Sequence, residues 1–428
     1  MRELLQLIRL SRWKPGLADA GATSRRSLPY HCLAEAPGAP SRRPTIAQTP
    51  RRLHIDPIDP PSTRSQTARN PPKEAPMTLD ATAQLVRKPL FNPDGPTDIA
   101  ARRMIGGDTT NLNDFNNLKY PWVSSWYRQA MNNFWIPEEI NLMQDVKDYP
   151  NLSADERAAY DKILSFLVFL DSLQTANLPN ISEYITANEV NLCLHIQAFQ
   201  ECVHSQSYSY MLDTICSPEQ RNDILYQWKT DERLLARNTL IGDRYNEFQD
   251  KKDGRTLLKV LMANYILEGV YFYSGFMFFY NLARMGKMPG SAQEIRYINR
   301  DENTHLWLFR SIILELQKEE PKLFTEESVA ELRAMLEEGV RQEIAWGHYV
   351  VGDRIPGLTK QMVTDYIRYL GNLRWSSLGY GHLYEDNQRE PADMAWVSQY
   401  SNANMVKTDF FEAKSTAYAK STALVDDL

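Results

Sequence analysis

"ECVHSQSYSY", residues 201–210, places a carboxylate, an imidazole and two phenols within ten residues. The surrounding "NLCLHIQAFQECVHSQSYSYMLDTI" reads as a largely buried helix. Glu201 and His204 are three residues apart, so on a helix they share one face. "RDENTHLW" repeats the spacing with Glu302 and His305. A single Glu-x-x-His pair means little, since a chain of this composition holds about half of one by chance. The company these pairs keep adds more. Asp171 interrupts "LSFLVFLDSLQ", and Glu268 interrupts "LMANYILEGVYFY". A lone carboxylate in such a run is costly unless something neutralises it, because desolvation opposes its charge.

Four helices thus each offer an inward carboxylate, and two of them add a His. Two divalent ions would neutralise the carboxylates, and the imidazoles would complete the donor set. That is the ligand logic of a dinuclear carboxylate site in a four-helix bundle. Mixed oxygen and nitrogen donors suit iron or manganese better than a thiolate-seeking metal. Tyr208 lies four residues past His204, on the same face and one turn further. A buried Tyr is ordinarily a hydrogen-bonded core residue. Beside an oxygen-activating metal pair, however, a phenol can lose an electron and a proton, and its place relative to the ligands favours that reading.

The rest of the chain agrees with a bundle. Ser153 to Glu156 forms a capping box that opens a helix through "AAYDKILSFLVFLDSLQ". Ser217 to Gln220 repeats the device with Pro218 at the first helical position, so the preceding helix should stop near Cys216. From about Asn133 onward the chain reads as overwhelmingly helical. The later segments are "TLLKVLMANYILEGVYFYSGFMFFYNLARMG", "SAQEIRYINRDENTHLWLFRSIILELQ", "TEESVAELRAMLEEGVRQEIAWGHYVV" and "TKQMVTDYIRYLGNLRWSSL". Strand-like alternation is scarce. The expected fold class is all-α.

Composition bounds the partners. The 428 residues are 43% hydrophobic and carry a net charge of −6. Residues 1–76 are net +7 and the remainder −13, and an acidic body argues against nucleic acid as a partner. The four cysteines form no CxxC pair, which suggests a reducing, cytoplasmic setting without a disulfide framework. The most apolar run, "GVYFYSGFMFFYNLA", is too short to span a bilayer, so no membrane is expected. Residues 1–76 hold 12 of the 24 prolines and keep no period for long. They read as a disordered tail, or as upstream sequence before Met77. Arg-rich composition and the weakly amphipathic "MRELLQLIRLSRW" keep organelle targeting open.

Over roughly residues 90–385 the sequence closely resembles the radical-generating small subunit of class I ribonucleotide reductase, a ferritin-like helical bundle. The resemblance implies a dinuclear metal centre held by Asp171, Glu201, His204, Glu268, Glu302 and His305, and no ligand position is substituted. It implies a radical on Tyr208, in an apolar pocket of Phe272, Phe276 and Ile298. It implies a transfer route through His204, Asp301 and Trp135 of "NNFWIPEEI". Phe272 and Phe276 follow Glu268 by four and eight residues, on one face of an α-helix, although an ordinary core also makes such a stripe. Asp301 is placed to accept a hydrogen bond from a ligand imidazole.

The activity so implied is ribonucleoside-diphosphate reduction by a homodimeric small subunit, active only with a large subunit that reduces ribonucleotides to deoxyribonucleotides. The cofactor expected is two iron ions per chain, with dimanganese or mixed manganese–iron centres open, activated by O2 or a reduced oxygen species. A related oxidase without a reductase partner, a desaturase or hydroxylase, and a metal-storing helical protein are the alternatives. Tyr208, Trp135 and the tail favour the reductase. The expected division is an N-terminal extension 1–76, an arm 77–132, the metal-binding bundle 133–388 and a flexible tail 389–428 that docks on the large subunit. Apolar anchors spaced along the tail suit folding into a groove of a partner. Tyr418, with Tyr400 second, is the expected relay in that tail.

Overall fold

The computed structural model describes residues 79–401. Expectations for 1–78 and 402–428, Tyr418 among them, lie outside the described residues. Within them the protein is all-α. Its helices are Trp122–Asn132 (α1), Asp145–Asp148 (α2), Ala154–Ser182 (α3), Asn188–Ile215 (α4), Pro218–Tyr226 (α5) and Glu232–Lys251 (α6). They continue with Gly254–Ile266 (α7), Tyr273–Arg284 (α8), Pro289–Glu319 (α9), Glu326–Val350 (α10), Lys360–Ser377 (α11) and Ala395–Ser401 (α12). Among the described residues the only β-type pairings are two isolated bridges, Gln84 with Asp253 and Ile105 with Ile185. None of these helices is long and apolar enough to cross a membrane.

Local chemistry sets the helix ends. Ser153 Oγ accepts from the Glu156 amide at 3.2 Å, and Glu156 Oε2 accepts from the Ser153 amide at 2.9 Å. Ser217 and Gln220 form the same reciprocal pair ahead of α5, and α4 ends with Cys216 as its C-cap. α9 is anchored by a residue distant in sequence. Buried Asp145 accepts the amides of Gly290 and Ser291 at 2.9 and 2.6 Å and the Ser291 hydroxyl at 2.6 Å. A carboxylate there satisfies orphan donors and complements the positive end of the helix dipole. At its other end, Glu319 accepts the Met104 amide at 2.9 Å and the Tyr120 hydroxyl at 2.8 Å, and Glu320 accepts the Leu79 amide at 2.7 Å. The irregular arm is thus tied to the C-terminal end of α9.

Three features depart from the sequence reading. Helix begins before Asn133: α1 packs on α4 and α9, with the Trp126 indole N–H donating to the Thr304 carbonyl at 2.7 Å. The long apolar string is not one α-helix, because Leu267–Tyr271 forms a π-helical turn between α7 and α8. That turn adds a residue to the helical repeat at Glu268, so the α-helical spacing argued for Phe272 and Phe276 does not carry across it. Finally, α12 falls inside the stretch expected to be a flexible tail. Met394 and Val397 are fully buried, and α12 packs on α8 and α9.

Asp145→Ala should destabilise the metal-free protein by about 1–3 kcal/mol, because it strands buried amides at the start of α9. Urea unfolding followed by circular dichroism would read this as a lower midpoint at unchanged slope.

Candidate metal centre

Four helical segments converge on one buried point. α3 supplies Asp171, α4 supplies Glu201 and His204, the π turn supplies Glu268, and α9 supplies Glu302 and His305. All six are at most 1% exposed. Their donor atoms form two overlapping groups: Asp171, Glu201, His204 and Glu302 make one, and Glu201, Glu268, Glu302 and His305 the other. Within each group the atoms lie within 4.8 Å of one another. Donors bound to one ion at about 2.1 Å can be no more than about 4.2 Å apart, so each group needs only a slight contraction to close on an ion. Glu201 and Glu302 belong to both groups and would bridge the ions.

The imidazoles are oriented for this. His204 Nδ1 faces Glu302 Oε1 at 3.2 Å and Glu201 Oε2 at 3.3 Å. His305 Nδ1 faces Glu302 Oε2 at 2.8 Å and Glu201 Oε1 at 3.2 Å. Each Nε2 points outward to an acceptor: Asp301 Oδ2 at 3.3 Å from His204, and Gln200 Oε1 at 3.0 Å from His305. An outer acceptor fixes the tautomer that leaves Nδ1 free to bind an ion.

Electrostatics make the need for cations plain. Burial, then the charges of Glu201 and Glu302, push Asp171 well above the carboxylate range. Burial, then Glu302 and Glu201, do the same to Glu268. Burial also opposes charge on Glu302, but His305 and His204 outweigh it and hold that carboxyl low. Burial works against a proton on either imidazole, yet the surrounding carboxylates hold both well above the usual histidine range. Both Asp171 oxygens, Glu268 Oε2, Glu302 Oε1 and His204 Nδ1 have no hydrogen-bond partner. Orphaned buried atoms of this kind call for an unseen partner. The donor set fits two divalent metal ions.

The other expected residues surround this centre. Tyr208 is fully buried, and its hydroxyl makes no hydrogen bond, although Asp171 is close enough to help hold its proton in place. Trp135 is 4% exposed, and its indole N–H donates to Asp301 Oδ2 at 2.9 Å, the same oxygen that meets His204. Phe272, Phe276 and Ile298 are buried, with the two phenyl rings 5.9 Å apart. Tyr400 on α12 stacks on Tyr280 at 5.5 Å. Sequence reasoning missed a set of amides. Gln174 and Gln197 both donate to Glu268 Oε1, at 2.5 and 2.9 Å, and Tyr245 donates to Gln174 at 2.8 Å. The signal was available: Gln174, Gln197 and Gln200 each lie three or four residues from a ligand on the same helix.

Residues 112–391 match the family described as ribonucleotide reductase, small chain. The chain belongs to that family. A ribonucleoside-diphosphate reductase subunit beta of Treponema pallidum is 73% identical over 350 residues, which cover 82% of this chain and all of the relative. The solved ribonucleotide reductase R2 subunit from Clostridium botulinum is 49% identical, with a TM-score of 0.72 over 74% of this chain and 99% of its own. The dimanganese(II)-NrdF of Streptococcus sanguinis, 22% identical, shares the fold with a TM-score of 0.58 over 68% of this chain and 98% of its own. As a family member the protein is an oxidoreductase component that works with a large subunit.

Metal analysis of variants tests the bridging arrangement. Glu201→Ala or Glu302→Ala should lose both of the roughly two ions per chain, with helical signal kept. Asp171→Ala or Glu268→Ala should keep about one, since each serves a single ion. Full occupancy in the first two variants would refute the assignment.

Proposed function

We propose that this chain stores an oxidising equivalent on Tyr208 and passes it through His204, Asp301 and Trp135 to the large subunit, which then reduces ribonucleotides to deoxyribonucleotides. One observation carries the reading: Asp301 Oδ2 accepts from both the His204 imidazole and the Trp135 indole. That single oxygen joins the metal-facing ring to an aromatic side chain outside the ligand set through a buried hydrogen-bonded line. Arg300 beside Asp301 Oδ1, at 3.4 Å, steadies the carboxylate.

When bound, the two metal ions supply the oxidising power by reacting with O2 or a reduced oxygen species. The chain's residues govern where it goes. Burial, then the charges of Asp171 and Glu302, hold the Tyr208 proton far more tightly than water does. An electron lost from the phenol is therefore accompanied by its proton. Phe272, Phe276 and Ile298 keep water and reductants from the oxidised ring. A tyrosine at position 208 favours iron, with dimanganese and mixed centres as the alternatives. The bacterial origin of the named relatives agrees with a cytoplasmic place of action.

Tyr208→Phe should load metal and fold normally, yet lose the tyrosyl paramagnetic signal and turnover together. Trp135→Phe should keep the signal and lose turnover, because it interrupts only the exit. Turnover at the wild-type rate in Tyr208→Phe would remove Tyr208 from the mechanism.

The partner contact is assigned to the C-terminal sequence, with Tyr418 beyond α12 as relay and Tyr400 on α12 second, in a homodimeric small subunit. Removing residues 409–428 should abolish reductase activity and binding of the large subunit while sparing the metal centre and its radical. A peptide of those residues should compete with the intact subunit, and undiminished activity after truncation would overturn the docking role.

A further inference from the structure

The helix that carries Glu268 is interrupted at the ligand itself. In the π turn Leu267–Tyr271 the backbone bonds reach five residues instead of four, which leaves neighbouring groups of the ladder without their usual partners. Two buried arginines from outside the ligand set take up those groups. Arg374 of α11 donates from Nε to the Gly269 carbonyl at 3.0 Å and from its guanidinium to the Tyr273 hydroxyl at 3.0 Å. Arg237 of α6 donates to the Tyr271 carbonyl at 3.3 Å and to Glu343 Oε2 at 2.5 Å. Glu343 of α10 closes the frame, because its Oε1 accepts the Ser274 amide just beyond the turn at 2.8 Å.

The surroundings are shaped around this frame. A Cβ on Gly269 would lie 3.0 Å from Arg374 Nε and 2.8 Å from Leu306 Cδ1, so only glycine admits the guanidinium. Gly339 and Gly347 stand one turn either side of Glu343. A Cβ on them would meet Ile266 Cγ2 and Ser274 Oγ, each at 2.7 Å, so α10 lies directly against the broken helix. The Arg237 guanidinium sits 4.3 Å from the rings of both Phe166 and Tyr271. Buried ion pairs are weak contributors to stability, since packed apolar residues often replace them without loss. Stability alone is therefore a poor reason for two arginines and a glutamate at this place.

We propose that Arg237, Glu343 and Arg374 are positioning residues that hold Leu267–Tyr271 in its π turn and so aim Glu268 at the subsite it shares with Glu201, Glu302 and His305. The inference rests on the dinuclear reading of the centre. Relaxing the turn to α-helix changes the register by one residue, a rotation of about 100°. Either Glu268 or the α8 residues beyond it would then leave the faces they now occupy.

The test uses the full-length chain carrying Arg374→Met, or Arg237→Met together with Glu343→Leu, which removes the buried pair without stranding a charge. Hydrogen exchange on metal-free protein reads the turn, and manganese(II) titration followed by paramagnetic resonance reads the ions. Amides 267–274 should exchange faster than in the wild type. One of the two ions should bind about 10–100-fold more weakly while the other is unchanged. Wild-type exchange and two wild-type affinities in both variants would overturn the proposal, as would equal weakening of both ions. Should the double substitution fail to fold, Arg374→Met and Gly269→Ala carry the same readings. A wild-type protein that binds fewer than two ions would instead count against the dinuclear reading, and the exchange comparison would still decide whether the frame holds the turn.

Discussion

Four carboxylates buried within a few ångströms of one another are the constraint on which the rest of the structure depends. No packing of apolar side chains compensates for that concentration of like charge in a low dielectric. Burial and like charge push Asp171 and Glu268 up, and the surrounding carboxylates raise both imidazoles. Two divalent cations would relieve this charge, since Asp171, Glu201 and Glu302 would hold one and Glu201, Glu268 and Glu302 the other. The sharing of Glu201 and Glu302 is therefore the electrostatic centre of the site. It also explains why these two are the carboxylates of the Glu-x-x-His pairs: each brings its own imidazole one turn further along the helix.

α9 carries two of the six donors of the centre and, on the same face, Ile298 and Asp301. Ile298, Asp301, Glu302 and His305 follow the i, i+3, i+4, i+7 rule and form one inward stripe. Such a stripe works only if the helix cannot rotate or slide. Asp145 fixes its first turn, Thr304 is tied to α1 through Trp126 and Asn133, and Glu319 and Glu320 hold the arm at its end. Ligands on rigid helices hold their geometry more closely than ligands on loops, and a metal pair tolerates little error.

Much of this was legible because helical periodicity is local. The Glu-x-x-His spacing, Asp171 in its apolar run and the two capping boxes are patterns a few residues long, and the structure brings the six donors together. What was illegible depends on distant partners. The π turn has no composition of its own, since "YILEGVYFYSG" is an ordinary buried helix by pattern. It follows from Arg237, Glu343 and Arg374, which lie 31 residues before and 75 and 106 residues after Glu268 in the chain. The amides at Gln174 and Gln197 lie between these cases: their spacing from the ligands is local, but their shared target, Glu268, sits on another helix.

The interruption at Glu268 also accounts for an asymmetry between the two halves of the centre. Asp171, Glu201 and Glu302 stand on unbroken α-helices, and their positions follow from helix packing alone. Glu268 stands where the ladder is broken, and it alone of the four accepts two glutamine amides on one oxygen. Local propensity and the observed backbone disagree at this one ligand, and such disagreements gather where function requires a geometry that the regular helix does not offer.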